Sequence, residues 1–267
     1  MNAHPPRLVV EDATIGYDQR TIAERLSLEI PDGSFTAIIG PNGCGKSTLL
    51  RALARVLTPS TGRVLLDGKA ITQYGSKEVA RRMGLLPQTS LAPDGIRVAD
   101  LVARGRSPYQ SLFQQWRSSD EQAVAEALEA TRLTDLSGRL VDELSGGQRQ
   151  RVWVAMLLAP QTGIMLLDEP TTFLDIAHQY ELLELFRTFH DEGKTIVAVL
   201  HDLDQAARYA DHLVVMREGS VVTSGPPAEV VTAELVQDVF GLPCIVAPDP
   251  VTGTPTVVPL DPRSAAR

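Results

Sequence analysis

The sequence predicts an α/β fold built on a largely parallel sheet, and three observations predict it. Short apolar runs alternate with amphipathic stretches along most of the 267 residues, the order that feeds a parallel sheet with helices on both faces. A glycine-rich run, Gly40-Pro41-Asn42-Gly43-Cys44-Gly45-Lys46-Ser47-Thr48, stands between a β-prone segment and a helix-prone one. A second apolar run, Ile164-Met165-Leu166-Leu167, ends in two adjacent acids, Asp168 and Glu169. At 43% hydrophobic, the chain can bury a substantial core, as one large domain or a domain with a subdomain.

Each element follows in order. Residues 7–15, 27–30 and 34–39 are β-prone, with turn chemistry at Pro31-Asp32-Gly33. A helix is expected over 47–56, stopped near Pro59, then a strand over 63–66 and a turn at Asp67-Gly68. From about residue 91 to 160 the character becomes mostly helical. Ser119-Asp120-Glu121-Gln122 has the capping-box pattern before Val124, Leu128 and Leu133, and a second helix should run from Gly146 to Ala159, ended by Pro160. The core resumes with a strand over 163–167 and a helix over 175–191 closed by Gly193. In that helix Ile176, Tyr180, Leu183 and Phe186 fall at the spacing of core packing. Residues 195–200 and 212–216 read as buried strands, and the tail after Gly241 as a hairpin around Val251-Thr252-Gly253-Thr254. The expected division is 1–88 with 161–240 as core, 89–160 as an inserted helical subdomain, and 241–267 as a tail.

Composition narrows the class. A net charge of −8 argues against a nucleic-acid partner, which usually leaves a basic footprint. No apolar run approaches the ~18 residues that span a bilayer, and the first seven residues lack the apolar stretch of a secretory signal. A soluble, cytoplasmic chain is expected. Cys44 and Cys244 lie far apart and form no metal-spaced set. Cys44 itself reads as a small residue tolerated in the loop.

The residues that carry chemistry are legible by type and spacing. Residues 40–48 complete G-x-x-x-x-G-K-[ST] between a strand and a helix, the context in which backbone N–H groups wrap phosphates. Lys46 supplies a charge for the terminal phosphates and Ser47 a hydroxyl for Mg²⁺. Asp168, at a strand end where ligands bind in parallel sheets, suits Mg²⁺ through its hydration shell; Glu169 suits polarisation of an attacking water. Gln88, where the core gives way to the helical stretch, is a candidate for Mg²⁺ or water sensing. His201 closes the strand over 195–200, just before the helix-capping Asp202, and is a candidate γ-phosphate contact.

Leu144-Ser145-Gly146-Gly147-Gln148 is then one anion site too many. A helix N-terminus favours an anion, yet one triphosphate needs only one glycine-rich loop. Short of an ordinary helix start capped by Ser145, the spare turn implies a nucleotide held between two copies of the chain.

With these elements in view, the chain resembles the nucleotide-binding subunits of ATP-binding-cassette transporters over nearly its whole length. The resemblance implies a P-loop NTPase core with an antiparallel β subdomain and an inserted α-helical subdomain. It matches Gln88 to the Q-loop, residues 144–148 to the signature, Asp168 and Glu169 to the Walker B acids, Asp175 to the D-loop and His201 to the switch histidine. Tyr17, after the first strand, matches the aromatic that stacks on adenine. It implies an active ATPase using ATP and Mg²⁺, and two cassettes joined head to tail with Ser145, Gly146, Gly147 and Gln148 on the opposing ATP. Separate membrane permease subunits would dock near Gln88 and the following segment, where Arg104-Gly105-Arg106-Ser107-Pro108-Tyr109, Leu112, Phe113 and Trp116 supply aromatics for either an interface or the subdomain core.

A finer resemblance runs to importers of iron–siderophore complexes. It rests on Glu169-Pro170-Thr171-Thr172-Phe173-Leu174-Asp175-Ile176-Ala177-His178-Gln179, Val102-Ala103-Arg104-Gly105-Arg106 and residues 201–210, and the tail from Gly241 is similar to that of ferric-enterobactin importer ATPases. It implies a siderophore cargo, a periplasmic or lipoprotein binding protein, no nucleic acid, and a place on the cytoplasmic face of the membrane. Haem and cobalamin importers share the architecture. Cassette ATPases of DNA repair or translation commonly carry a coiled-coil insertion or two cassettes per chain, and neither is present here.

Overall fold

The structure is a computed structural model describing residues 6–18, 20–89, 91–110 and 116–261. It opens with β1 (Leu8–Tyr17), β2 (Arg20–Ile30), β3 (Phe35–Ile39), α1 (Lys46–Leu53), β4 (Thr61–Leu66) and β5 (Lys69–Ala70). Then come α2 (Ser76–Arg82), β6 (Met83–Leu86), α3 (Val98–Ala103), α4 (Ser118–Ala130), α5 (Gly146–Leu158), β7 (Ile164–Asp168) and α6 (Ile176–Asp191). The rest is β8 (Thr195–Val199), α7 (Leu203–Tyr209), β9 (His212–Arg217), β10 (Ser220–Gly225), α8 (Pro227–Val230), α9 (Ala233–Phe240), β11 (Cys244–Pro248) and β12 (Pro255–Pro259). Two compact units emerge: Met1–Ile71 with Val197–Arg267, and Thr72–Ile196.

In the first unit β2, β1, β4 and β5 form an antiparallel sheet in that order. Leu8, Val10, Ala13 and Ile15 of β1 are buried, an alternation that slips at a bulge where Asp12 takes φ 46°. β3 is buried at all five positions and pairs with β9 in parallel, as an apolar strand covered on both faces should. β2 starts at Arg20, earlier than the expected Ser27, because β1 continues to Tyr17 and pairs with it. α1 stops at Leu53, short of the expected Val56. Arg55 turns left-handed (φ 58°), and the Val56 and Leu57 N–H groups return to the Arg51 carbonyl at 2.9 and 3.1 Å, so the backbone closes the helix well before Pro59. The tail hairpin β11–β12 forms as expected.

In the second unit β6 and β7 pair in parallel with Leu86 opposite Leu167. α3, α4 and α5 enclose a core including Val98, Leu101, Val124, Leu128, Val152 and Ala155. The cap of α4 is not at Ser119. Asp120 accepts from the Arg117 N–H at 3.1 Å, so the helix starts two residues earlier, drawn there because the Asp120 carboxylate is buried on Arg106. Ile176 is 73% exposed rather than core, since it opens α6 just after the Asp175 cap; Leu183 and Phe186 are buried as their spacing predicts. Among the described residues no helix is long and apolar enough to cross a membrane.

Candidate functional site

In the first unit, β3 ends at Ile39 and the glycine-rich loop follows. Gly40 has φ 149°, and a Cβ there would lie 2.1 Å from the Met216 carbonyl oxygen, so no side chain fits between the loop and β9. Pro41 and Cys44 close a turn, with the Cys44 N–H donating to the Pro41 carbonyl at 3.3 Å; Asn42 and Gly43 (φ 78°) stand exposed at its tip. Gly45 (φ 104°) passes the chain into α1, whose first three residues are Lys46, Ser47 and Thr48. Lys46 is buried, and its Nζ donates to the Gly40 and Pro41 carbonyls at 2.7 and 3.0 Å. The loop therefore holds its own cation at its mouth, positioned for an anion. Burial pushes the Cys44 thiol above its ordinary range despite the pull of the Lys46 charge, which fits a small inert residue.

Tyr17, at the end of β1, is 40% exposed and its hydroxyl accepts from Arg51 Nη1 at 2.9 Å. The ring is thus held at its hydroxyl while the residue stays exposed. The Leu200 N–H donates to the Ile38 carbonyl at 3.2 Å, so β8 and β3 end together and release His201 and Gly40 along one sheet edge. His201 is exposed there, and Asp202 caps α7 by accepting from the Gln205 N–H at 2.8 Å.

In the second unit the β6–β7 pairing sends Gln88 and the acids out along one edge. Asp168 is 1% exposed. Glu169 takes a left-handed φ of 52°, costing roughly 1–2 kcal/mol for a residue with a side chain, which parts its direction from that of Asp168. Its Oε2 accepts from Gln88 Nε2 at 2.5 Å and from Thr172 Oγ1 at 3.2 Å. Gln88 thereby points its amide nitrogen at Glu169 and keeps its amide oxygen as an acceptor. Gln88 and Asp168 here, and Ser47 in the first unit, each carry a hard oxygen donor of the kind Mg²⁺ takes. Among the described residues no three His, Cys, Asp or Glu cluster as a metal site.

Also in this unit, Ser145 and Gln148 form a reciprocal capping box. Ser145 Oγ accepts from the Gln148 N–H at 3.3 Å, and Gln148 Oε1 from the Ser145 N–H at 3.1 Å. Nothing lies within 4 Å of where a Cβ on Gly146 would sit. A glycine in the first turn of a helix costs up to about 1 kcal/mol against alanine, and the chain supplies no steric reason for it. Asp175 caps α6 and is flanked by two exposed apolar side chains, Phe173 at 93% and Ile176 at 73%. The N–H donated by His178 holds its carboxyl below the usual range.

Of the expected interface segment, Arg106 is internal: it pairs with Asp120 at 2.7 Å, both side chains under a tenth exposed. Tyr109 is partly buried between the guanidinium groups of Arg106 and Arg81, and Trp116 is 40% exposed. Leu112 and Phe113 lie outside the described residues. Sequence reasoning missed the Arg51–Tyr17, Thr172–Glu169 and His178–Asp175 bonds. Only the last had a local signal, a histidine three residues after a helix cap.

The family model described as ABC transporter matches residues 23–172. The chain is 60% identical to the ferric enterobactin transport ATP-binding protein FepC of Escherichia coli (strain K12), over 95% of this chain and 94% of that protein. It is 51% identical to the petrobactin import ATP-binding protein FpuD of Bacillus anthracis, over 92% and 90%. Among solved structures it is similar to a metal-chelate type ABC transporter in an inward-facing conformation, with a TM-score of 0.83 at 29% identity, covering 98% of this chain and all of that one.

Proposed function

Because the chain belongs to the ABC transporter family, we propose that it is the ATP-hydrolysing subunit of an importer of ferric siderophore complexes. The observation that carries the mechanism is the pair of anion-ready elements in one chain, the loop around Lys46 and the open turn at Gly146. Two copies join head to tail, so that Ser145, Gly146, Gly147 and the start of α5 complete the phosphate site of the opposite chain. The exposed Phe173 and Ile176 beside Asp175 support burial of that face by the second copy.

Within each site Tyr17 stacks on adenine, and the N–H groups of residues 43–48 with Lys46 hold the triphosphate. Ser47, Gln88 and, through water, Asp168 would hold Mg²⁺, which would supply charge neutralisation at the phosphate oxygens. Glu169 orients a water and takes its proton as the oxygen attacks the γ-phosphorus and ADP leaves. His201 contacts the γ-phosphate, and Gln88 links that state to the membrane subunits. ATP closes the dimer and hydrolysis reopens it, driving two integral permease subunits that receive the complex from a periplasmic or lipoprotein binding protein. The chain works on the cytoplasmic face of the membrane, with no nucleic-acid partner. The cargo assignment is supported by relatives named for ferric enterobactin and petrobactin.

Deleting the chain and measuring uptake of ⁵⁵Fe-labelled siderophores, haem and cobalamin tests this directly. Loss of one or more ferric siderophores with haem and cobalamin uptake intact is expected. Loss of haem or cobalamin alone would reassign the cargo, and co-purification with ribosomes or DNA instead of polytopic membrane proteins would remove the transport role.

A further inference from the structure

The imidazole of His178 joins two segments that the proposed function turns toward the second copy, the Ser145–Gly147 turn and the Asp175 cap. On one side, Asp175 Oδ1 accepts from the His178 N–H at 2.9 Å and lies 2.7 Å from Nδ1. Since a carboxylate only accepts, Nδ1 carries the hydrogen. On the other side, the ring occupies the space a side chain at position 147 would need. A Cβ on Gly147 would sit 2.8 Å from Cδ2 and 3.2 Å from Cγ and Nε2. Leu174 and Leu182 line the same small space. The start of α5 is tied to this region twice more: Gln150 Nε2 donates to the Pro170 carbonyl at 2.9 Å, and Arg151 pairs with Glu181.

The imidazole therefore acts as a spacer of fixed thickness. One edge of the ring is set by the Asp175 bond, and the ring fills the space beside Gly147 that a Cβ would take. The two glycines of the turn then have separate reasons. Gly146 is open on the outside, whereas Gly147 is small because the ring stands inside. The Asp175–His178 pair is substantially exposed (66% and 44% of the side chains), so it adds little to stability. What it contributes is placement.

We infer that His178 is a positioning residue that sets the distance between the Ser145–Gly146–Gly147 turn and Asp175, so that both meet the second copy at closure. The inference rests on the two-copy reading above.

The test is steady-state ATP hydrolysis by the purified full-length chain, measured against ATP and chain concentration, with equilibrium ATP binding alongside. His178→Ala is expected to lower kcat about tenfold or more, the order of loss a displaced positioning group produces. KM and ATP binding should stay within about twofold. His178→Asn, whose amide nitrogen can still donate to Asp175, should recover most of the rate. Gly147→Ala should cost less in the His178→Ala background than in the wild type, because the ring it collides with is gone. Wild-type turnover in His178→Ala, Asn performing no better than Ala, or an equal cost of Gly147→Ala in both backgrounds would each overturn the inference. Ser145→Arg separates the two readings. If it abolishes turnover while the His178 variants are normal, only the positioning role fails; if it leaves turnover intact, the two-copy site fails.

Discussion

Asp120→Ala probes how the helical layer that carries α5 is held together. Arg106 Nε donates to Asp120 Oδ1 at 2.7 Å, Nη1 donates to the Ala159 carbonyl at 2.9 Å, and the guanidinium lies 4.1 Å from the Tyr109 ring centre. Removing the carboxylate leaves that cation buried with one carbonyl and one ring, and frees the Arg117 N–H that Asp120 caps. Breaking a buried pair from one side costs about 3–5 kcal/mol, and the lost cap is part of that figure. Against a typical stability of about 5–15 kcal/mol this is a large share. Urea unfolding followed by far-ultraviolet circular dichroism should show the midpoint fall accordingly. Arg106→Leu with Asp120→Leu, which removes both charges, should cost less than Asp120→Ala alone. The pH dependence has a definite sign. Burial pushes the Asp120 carboxyl up, but the Arg106 hydrogen bond, the Arg117 N–H and the two guanidinium charges outweigh it and hold it below its ordinary value of 3.8. Its stabilisation is complete above that ordinary value and is lost as pH falls through the lower folded one. The difference between wild type and Asp120→Ala should therefore be level from neutrality down to about pH 5 and shrink below about pH 4. A single-variant loss under about 1 kcal/mol, or a double variant as unstable as the sum of two singles, would refute the brace.

The other predictions concern the site. Lys46→Ala removes the cation held by the Gly40 and Pro41 carbonyls and should abolish productive ATP binding in a fluorescent-nucleotide titration; retained hydrolysis would contradict its role. Glu169→Gln should keep ATP binding, slow hydrolysis by roughly 10²-fold or more, and trap an ATP-dependent dimer visible by size-exclusion chromatography. Gly40→Ala forces a Cβ to within 2.1 Å of the Met216 carbonyl and should weaken ATP binding by displacing the loop, read in the same titration.

What the sequence discloses and what it conceals divide along physical lines. The phosphate loop, the caps at Ser145, Asp175 and Asp202, and the acids ending β7 are set by constraints acting within a few residues. A left-handed glycine, a side chain reaching an N–H three residues on, and an apolar strand ending in charge all leave a pattern in the string. The Arg106–Asp120 pair leaves none. Its members are fourteen positions apart, and Arg106 sits in a basic, aromatic stretch that reads equally as interface. The end of α1 misleads for a related reason: Pro59 is a visible stop signal, whereas the left-handed turn at Arg55 is set by bonds back to Arg51 that composition does not mark.

Ile176 is the most instructive failure. Its spacing with Leu183 and Phe186 is that of one helix face, yet those two are buried and Ile176 is 73% exposed. Periodicity assigns a face; it does not say where along the helix the chain's own core ends. Here it ends after the first turn, and just upstream stands Phe173, 93% exposed and in a left-handed conformation at φ 65°. A backbone cost and an exposed aromatic ring fall on the same residue, two positions before the Asp175 cap. Scattered surface apolar residues need no explanation, but two of the most exposed beside a polar cap whose bonds run to His178 form a rule-breaking cluster of the kind expected where function overrides folding. A second copy closing on this face would bury both side chains, giving the periodic pattern of α6 the core its first turn lacks in a single chain.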